Sequence, residues 1–593
     1  MFRIHKQKFA NFTKIAAAFI LCVAVVCTAT AQSPEFPDRM PIVERPFSED
    51  PDKFSFAIIG DKTGGGLDKW PVFDRSIDEI NTLKPDFAIM VGDLIQGNTT
   101  DLEQLAAEWK EFWQHESDLI VPFLPLPGNH DITNPVMYDY WKEHLGRTYS
   151  AFVYKDCLFI TLNTEEWHDP MHEAWDWEKD GWFGEAQIKY VADELAQHSD
   201  VRHTFVMLHR PIWLYENSGW ERVEDLLGDR AYTVFAGHYH NLTLHNRNDR
   251  RYFVLSATGG GLTPQDAPEA GAFDHYSIVT VDRDEVTVAI IKPGNIYPAD
   301  ISTAVFKERL GNLLTFTPHF NINRTENINS GDLEIAIDNS VEKQVTVEIA
   351  FHPSEHWQIS PHQLTFEVKP GESTKGAVAL SVPSDALTPL PTYTYSIVYG
   401  GERLRSGRNL FHPIDRADMY VLKNWMLLGP FDLGVTEAPA DTKDVPSNFR
   451  TALLPEFGGD ATYKGQAGEI VWQEHVSETE RINLDDAFGN PDWAFGYGMT
   501  HIKSPDKRRV FAQIGWGSNL GRLFLNGVEV PGASTPGTHL YRGWAHFELP
   551  LKAGWNTVVI QTADYTGGWD YRMEIADLTK TLQFNVKSTD LQD

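Results

Sequence analysis

Five times within the first 240 residues an apolar run ends abruptly in a cluster of polar side chains. The run at 54–59 leads into Gly60-Asp61-Lys62-Thr63, and the run at 87–91 into Gly92-Asp93. The run at 119–124 precedes Gly128-Asn129-His130-Asp131, the one at 204–208 precedes His209-Arg210-Pro211, and the one at 232–236 precedes Gly237-His238-Tyr239-His240. Short apolar runs bounded by turn residues read as buried strands. Helical periodicity fills the gaps at 70–83, 101–115 and 185–197. Strands alternating with helices build a layered α/β domain, whose ligands gather where strands end. The spacing therefore predicts all five clusters on one rim of one sheet.

Carboxylate, amide oxygen and imidazole together form the ligand set of borderline divalent metals such as Zn, Mn or Fe. A carboxylate flanked by further ligands bridges two ions about 4 Å apart. Taken singly, each cluster is equally a cap or a satisfied turn. As an ordered series of five they form a metal centre.

The series resembles the calcineurin-like metallophosphoesterase superfamily over about residues 54–295. The resemblance implies a sandwich of two β-sheets flanked by helices and a pair of divalent ions. It makes Asp61 and His240 ligands of the first ion, Asp93 the bridge, and Asn129, His209 and His238 ligands of the second. It makes His130 either the acid that protonates the leaving oxygen or a phosphate-contacting group, with Asp131 orienting its ring. The family usually carries Asp-x-His in its first motif, and here Thr63 stands in the His position. Gln96 is a candidate substitute ligand, because related purple acid phosphatases carry a metal-binding Tyr three residues after the bridging Asp. Thr63 itself and a water are the other candidates. Lys62 and Arg210, beside ligands, are candidates for clamping phosphate oxygens.

After residue 300 the texture changes to short alternating runs, as at 333–337 and 345–349, separated by turns such as Lys369-Pro370-Gly371-Glu372. This predicts a small all-β sandwich, similar to immunoglobulin-like modules. Trp425-Met426-Leu427-Leu428-Gly429-Pro430-Phe431, Leu525-Asn526-Gly527 and the stretch 551–556 resemble galactose-binding-like jelly rolls. Trp516, Trp544 and Trp569 are read there either as stacking platforms for carbohydrate or as core packing. The expected division is a signal peptide at 1–31, a tether at 32–52, the metallophosphoesterase domain at 53–298, an immunoglobulin-like domain at 299–415 and a jelly roll at 416–593.

Arg3, Lys6, Lys8 and Lys14 precede an apolar stretch at 15–27 and then Ala29-Thr30-Ala31, the pattern of a cleaved export signal. Cleavage before Gln32 would remove Cys22 and Cys27 and leave Cys157 alone, so no internal disulfide is expected. The formal charge of -32 argues against binding to a nucleic-acid scaffold, which needs a basic footprint. The expected function is an exported phosphoesterase. It hydrolyses phosphate esters with a hydroxide activated by two metals, and its β domains attach it to a substrate or surface. The alternative is a surface carbohydrate- or protein-binding protein with an inactive phosphoesterase domain. The oligomeric state is not legible in the sequence.

Overall fold

The computed structural model describes residues 50–586 apart from 167–181, 264, 322–327, 384–385, 413, 437–444, 453, 456–460, 490, 535–543, 566–567 and 578. The expected signal peptide and most of the tether lie outside the described residues. Two compact units are present. One runs to Gly311 and takes in Gly401–Arg405, and the other holds Asn312–Gly400 and the chain from Ser406 onward.

The first unit contains two six-stranded mixed sheets. In the first, β1 (Lys53–Ile59), β2 (Phe87–Met90) and β3 (Phe123–Pro125) run parallel, with Ile59 opposite Met90 and Met90 opposite Pro125. In the second, β4 (Ser150–Tyr154) pairs antiparallel with β5 (Cys157–Leu162), and β5, β6 (His203–Leu208) and β7 (Tyr232–Ala236) run parallel, with Leu162 opposite Leu208 and Met207 opposite Phe235. The clusters therefore divide between two sheets, and the single sheet expected from the apolar runs is corrected. Alternation along a strand is the same whichever sheet it joins, so periodicity carries no information on that point.

Alternation decides instead which core layer each side chain enters. Phe56, Ile58, Phe87, Ile89, Cys157, Phe159, Phe205, Met207 and Phe235 fill the core between the sheets. Ala57, Ile59, Ala88 and Met90 face outward and pack with Phe73, Ile77 and Ile80 of α1 (Trp70–Leu83) and Leu105, Trp109 and Phe112 of α2 (Leu102–Glu116). On the other outer face, Leu158, Ile160, Val206 and Val234 meet Ile188, Val191 and Leu195 of α4 (Glu185–Gln197). α3 (Pro135–His144) follows β3 and packs on the first side through Met137 and Trp141. The result is two sheets between two layers of helices. The expected run at 119–124 yields a strand only from Phe123. Leu119 closes the end of α2 through its N–H to Glu116 O, and Ile120 is exposed.

The second unit is all antiparallel. Residues 314–410 contribute two four-stranded sheets, and residues 419–585 contribute sheets of five, seven and two strands. Trp516 and Trp569 are buried in the core of this last region, whereas Trp544 is 38% exposed. Among the described residues no helix is long and apolar enough to cross a membrane.

Phe56 lies 5.0–5.3 Å from the rings of Phe87, Phe159 and Phe205, at the centre of the inter-sheet core. Phe56→Ala should destabilise the first unit by ~3–5 kcal/mol. The check is the urea midpoint of its unfolding transition, which Phe56→Leu should lower less.

Candidate metal centre

The site forms where the C-terminal ends of the parallel strands of both sheets meet. Each turn there is held by backbone hydrogen bonds aimed at the functional carboxylates. Asp61, after β1, is fully buried, and its Oδ2 accepts the His238 N–H at 2.7 Å. Asp93, after β2, is 2% exposed and sits at φ 57°, and its Oδ1 accepts the His130 N–H at 2.9 Å. Gly237 is required beside Asp61, since a Cβ there would lie 2.1 Å from Asp61 Oδ1. Gly128 plays the same part beside Asp93, with 2.3 Å to Asp93 Oδ1.

Two groups of side chains result, Asp93 with His209 and His238, and Asp61 with Asp93 and His240; in each group the ligand atoms lie within 4.8 Å of one another. Asp93 belongs to both. His209 Nδ1 lies 2.9 Å from the Val91 carbonyl, which can only accept, so that nitrogen carries the hydrogen. Burial, then the charges of His238 and Arg210, hold this ring neutral, with its pKa well below the ordinary value. Nε2 therefore presents a lone pair, with Asn129 Oδ1 at 3.0 Å and Asp93 Oδ1 at 3.3 Å. On the other side His240 Nδ1 bonds the Gly261 carbonyl, and its Nε2 faces Asp61 Oδ2 at 3.2 Å. Burial lowers the His240 pKa, but the Asp61 hydrogen bond and charge, with the Gly261 carbonyl, leave it raised. Burial, then the charges of Asp61 and Asp131, push Asp93 well above the carboxylate range.

These residues fit divalent metal ions. Asp61 Oδ1 is buried without a hydrogen-bond partner, a costly state unless a cation meets it. Around His209 Nε2 the oxygens of Asn129 and Asp93 converge, with His238 Nδ1 at 3.3 Å, a donor set of the kind a divalent ion takes.

Asn129, His209, His238, His240, Asp61 and Asp93 are thus brought together. Thr63 and Gln96 are occupied elsewhere. The Thr63 hydroxyl lies 3.0 Å from Asp93 O and 2.9 Å from Ile95 O, and the Gln96 side-chain oxygen accepts the Gly64 N–H at 3.1 Å. The expected orientation of the His130 ring by Asp131 is corrected. His130 Nδ1 lies 2.7 Å from the Gln96 carbonyl and 3.0 Å from the Asn98 side-chain amide. The Asp131 carboxylate instead accepts the backbone N–H groups of Asp93, Leu94, Ile95 and Gly128 at 2.7–3.2 Å. It ties the loops after β2 and β3 together. Burial raises its pKa to about 7 against the pull of those donors.

Arg210 stands beside the centre, with Nη1 3.2 Å from His238 Nε2. Its guanidinium is held by the fully buried Glu165, at 2.5 Å from Nε and 3.3 Å from Nη2, and lies 5.3 Å from the Trp182 ring centroid. Sequence reasoning missed Glu165. The signal was present, since Asn163-Thr164-Glu165 follows the apolar strand β5 as the other clusters follow theirs. Lys62 turns away from the centre, with its ammonium 4.1 Å from the Trp70 ring centroid.

Residues 54–242 match the family described as Calcineurin-like phosphoesterase. The first unit therefore contains a calcineurin-like phosphoesterase domain, of a family typically of dimetal hydrolases, and further β-sheet domains follow it. No curated protein matches the chain. Among solved structures it is similar to a dimetal phosphatase from Danio rerio, at 12% identity and a TM-score of 0.35, over 42% of this chain and 98% of that one. It is similar to GAP50, the anchor in the inner membrane complex of Plasmodium, at 11% identity and a TM-score of 0.32, over 42% and 88%. A family 35 carbohydrate binding module from an environmental isolate aligns at 9% identity and a TM-score of 0.14, over 28% and 97%. Overlaps at this level carry no functional argument.

Asp93→Asn should remove most bound metal, because Asp93 alone serves both groups. Asp61→Asn should lower the stoichiometry by about one ion, and Gln96→Ala should leave metal affinity unchanged. Elemental analysis of the purified variants and a metal titration followed by calorimetry check all three.

Proposed function

We propose that the protein is an exported metal-dependent phosphoesterase. The observation that carries this reading is the pair of buried Asp/His groups sharing Asp93 at the joined strand ends. Asp61, Asp93 and His240 would hold one divalent ion, and Asp93, Asn129, His209 and His238 the other. Three protein ligands remain for the first ion without a His at position 63, which favours an enzyme over an inactive binding protein. Bound there, such ions supply charge that acidifies a water and offsets the phosphoryl oxygens.

The remaining chemistry belongs to side chains. Arg210, fixed in its plane by Glu165, presents guanidinium N–H groups to a phosphate oxygen. His130 is anchored through Nδ1 by the Gln96 carbonyl, so Nε2 is the nitrogen that holds and delivers a proton to the departing oxygen. Burial lowers the pKa of His130, which makes its protonated form a stronger acid. The fixed positions of these groups, set by backbone hydrogen bonds, orient the ester for in-line attack.

The division of the chain at 53–298, 299–415 and 416–593, with an immunoglobulin-like module before a galactose-binding-like jelly roll, is part of the same proposal. Those modules serve attachment to a carbohydrate or a surface. Export rests on the basic and apolar pattern of the first 31 residues. Expressed with its full leader, the chain should be recovered outside the cytoplasm with Gln32 as its first residue. N-terminal sequencing of the recovered protein checks this.

His130→Ala should retain metal and slow hydrolysis by roughly 10²- to 10⁴-fold, the range of a general acid. The loss should shrink for aryl esters, whose leaving groups need little protonation. Steady-state rates across a series of esters, with metal content measured in parallel, test the assignment; loss of metal in this variant would refute it.

A further inference from the structure

We propose that the outer face of the five-stranded sheet binds a neutral carbohydrate, with Trp544 as the surface on which a sugar ring stacks. This gives a location to the attachment role proposed above and stands apart from the phosphoesterase reading.

Alternation builds the face. In strands Arg508–Gly517, Trp544–Leu551 and Asp570–Ala576, the side chains of Ile514, Phe547, Met573 and Ile575 enter the core, so their sequence neighbours point the other way. Register aligns those neighbours in rows across the sheet. Trp544, Gly515 and Arg572 form one row, and His546, Gln513 and Glu574 form the next. The row beyond, with Phe511 opposite Glu548, is covered. There the His412 ring meets Phe511 edge to face at 5.2 Å, and Glu548 accepts the Leu387 N–H at 3.3 Å. Over the first two rows lies a cavity of about 360 Å³, walled by His412, Arg416 and Met419. At ~30 Å³ per water it has room for about twelve waters, and it falls in the ~300–1,000 Å³ range of ligand pockets.

Trp544 supplies the apolar floor. A Cβ at position 515 would lie 3.4–3.5 Å from three adjacent carbons of the ring, so one indole face rests on the sheet where Gly515 has no side chain. The residue is still 38% exposed, and its indole N–H has no acceptor among the described residues. A sugar ring matches both features, with C–H groups to pack on the indole and oxygens to accept the N–H.

The polar groups beside the ring are already locked to one another. Glu574 accepts from Arg572 Nη2, and from the Gln513 amide at 2.6 Å. Gln513 Oε1 lies 3.0 Å from His412 Nε2. Arg572 also pairs with Glu480, which accepts from Arg416 Nη2 at 2.9 Å. Two guanidinium groups thus face two carboxylates. A charged ligand would have to break one of these pairs, at the cost of an uncompensated charge. A wholly apolar ligand would cover the remaining N–H groups of Gln513 and Arg416 without bonding them. Hydroxyl groups accept from those N–H groups and leave every pair intact.

The test is titration calorimetry of the full chain with cellohexaose, xylohexaose and galactohexaose, and with hexagalacturonate as the charged comparison. The native chain should bind at least one neutral hexasaccharide, about tenfold or more tighter than hexagalacturonate. Trp544→Ala should weaken that binding by about tenfold or more, the cost of truncating an aromatic anchor. Arg416→Ala should weaken it in the same direction. The Arg416 side chain is 75% exposed, so this variant decides the matter should Trp544→Ala lower the urea midpoint of the second unit. Failure of the native chain to bind any of the three neutral hexasaccharides overturns the site. Equal or tighter binding of hexagalacturonate overturns its neutral character. Undiminished binding in both variants places the ligand elsewhere and overturns the assignment. Binding that depends on Trp544, in a chain that hydrolyses no phosphate ester, upholds the site and overturns the phosphoesterase reading alone.

Discussion

Two buried carboxylates, Asp61 and Asp93, are held close enough to belong to one ligand group, although like charges repel and burial penalises both. What permits this is a set of backbone donors. Asp61 accepts the His238 N–H and Asp93 accepts the His130 N–H, so each carboxylate is tied to the turn that carries another functional ring. Each turn must follow its strand at the right height for these bonds to form. The in-step registers of β1 with β2 and of β5 with β6 and β7 meet that requirement. The inter-sheet core, in turn, sets the two sheets so that their strand ends share one rim.

Asp131 shows how far the site depends on main chain. Its two oxygens gather four backbone N–H groups, three from the loop after β2 and one from the loop after β3. The residue next to the catalytic candidate therefore acts as a structural tie. The orientation of the His130 ring falls to a main-chain carbonyl, which no reading of side-chain types detects.

Much of this is legible in the sequence. The helices at 70–83 and 185–197 appear with those bounds because an amphipathic stripe fixes both a helix and its buried face. The ligand clusters are legible because apolar runs end in glycine and metal-type residues in an ordered series. What sequence does not settle is direction. Lys62 follows Asp61 directly, yet successive side chains diverge, and its ammonium finds Trp70 in place of the centre. Thr63 and Gln96 are stand-in ligands by position alone, and their side chains bond main-chain groups of neighbouring loops. Glu165 escapes notice because Asn163 and Thr164 separate it from the apolar run, although burial and its grip on Arg210 make it part of the site.

Cys157 lies fully buried between the two sheets, and burial pushes its thiol up to about 11. In a chain beginning at Gln32 it is the only sulfhydryl. A reagent that modifies thiolates reaches it only when the sheets part, because both access and ionisation are withheld in the closed domain. The fold thus contains its own reporter of opening. The rate at which Cys157 is labelled counts excursions of the inter-sheet core, with no engineered probe and no signal from the β-sheet domains that follow.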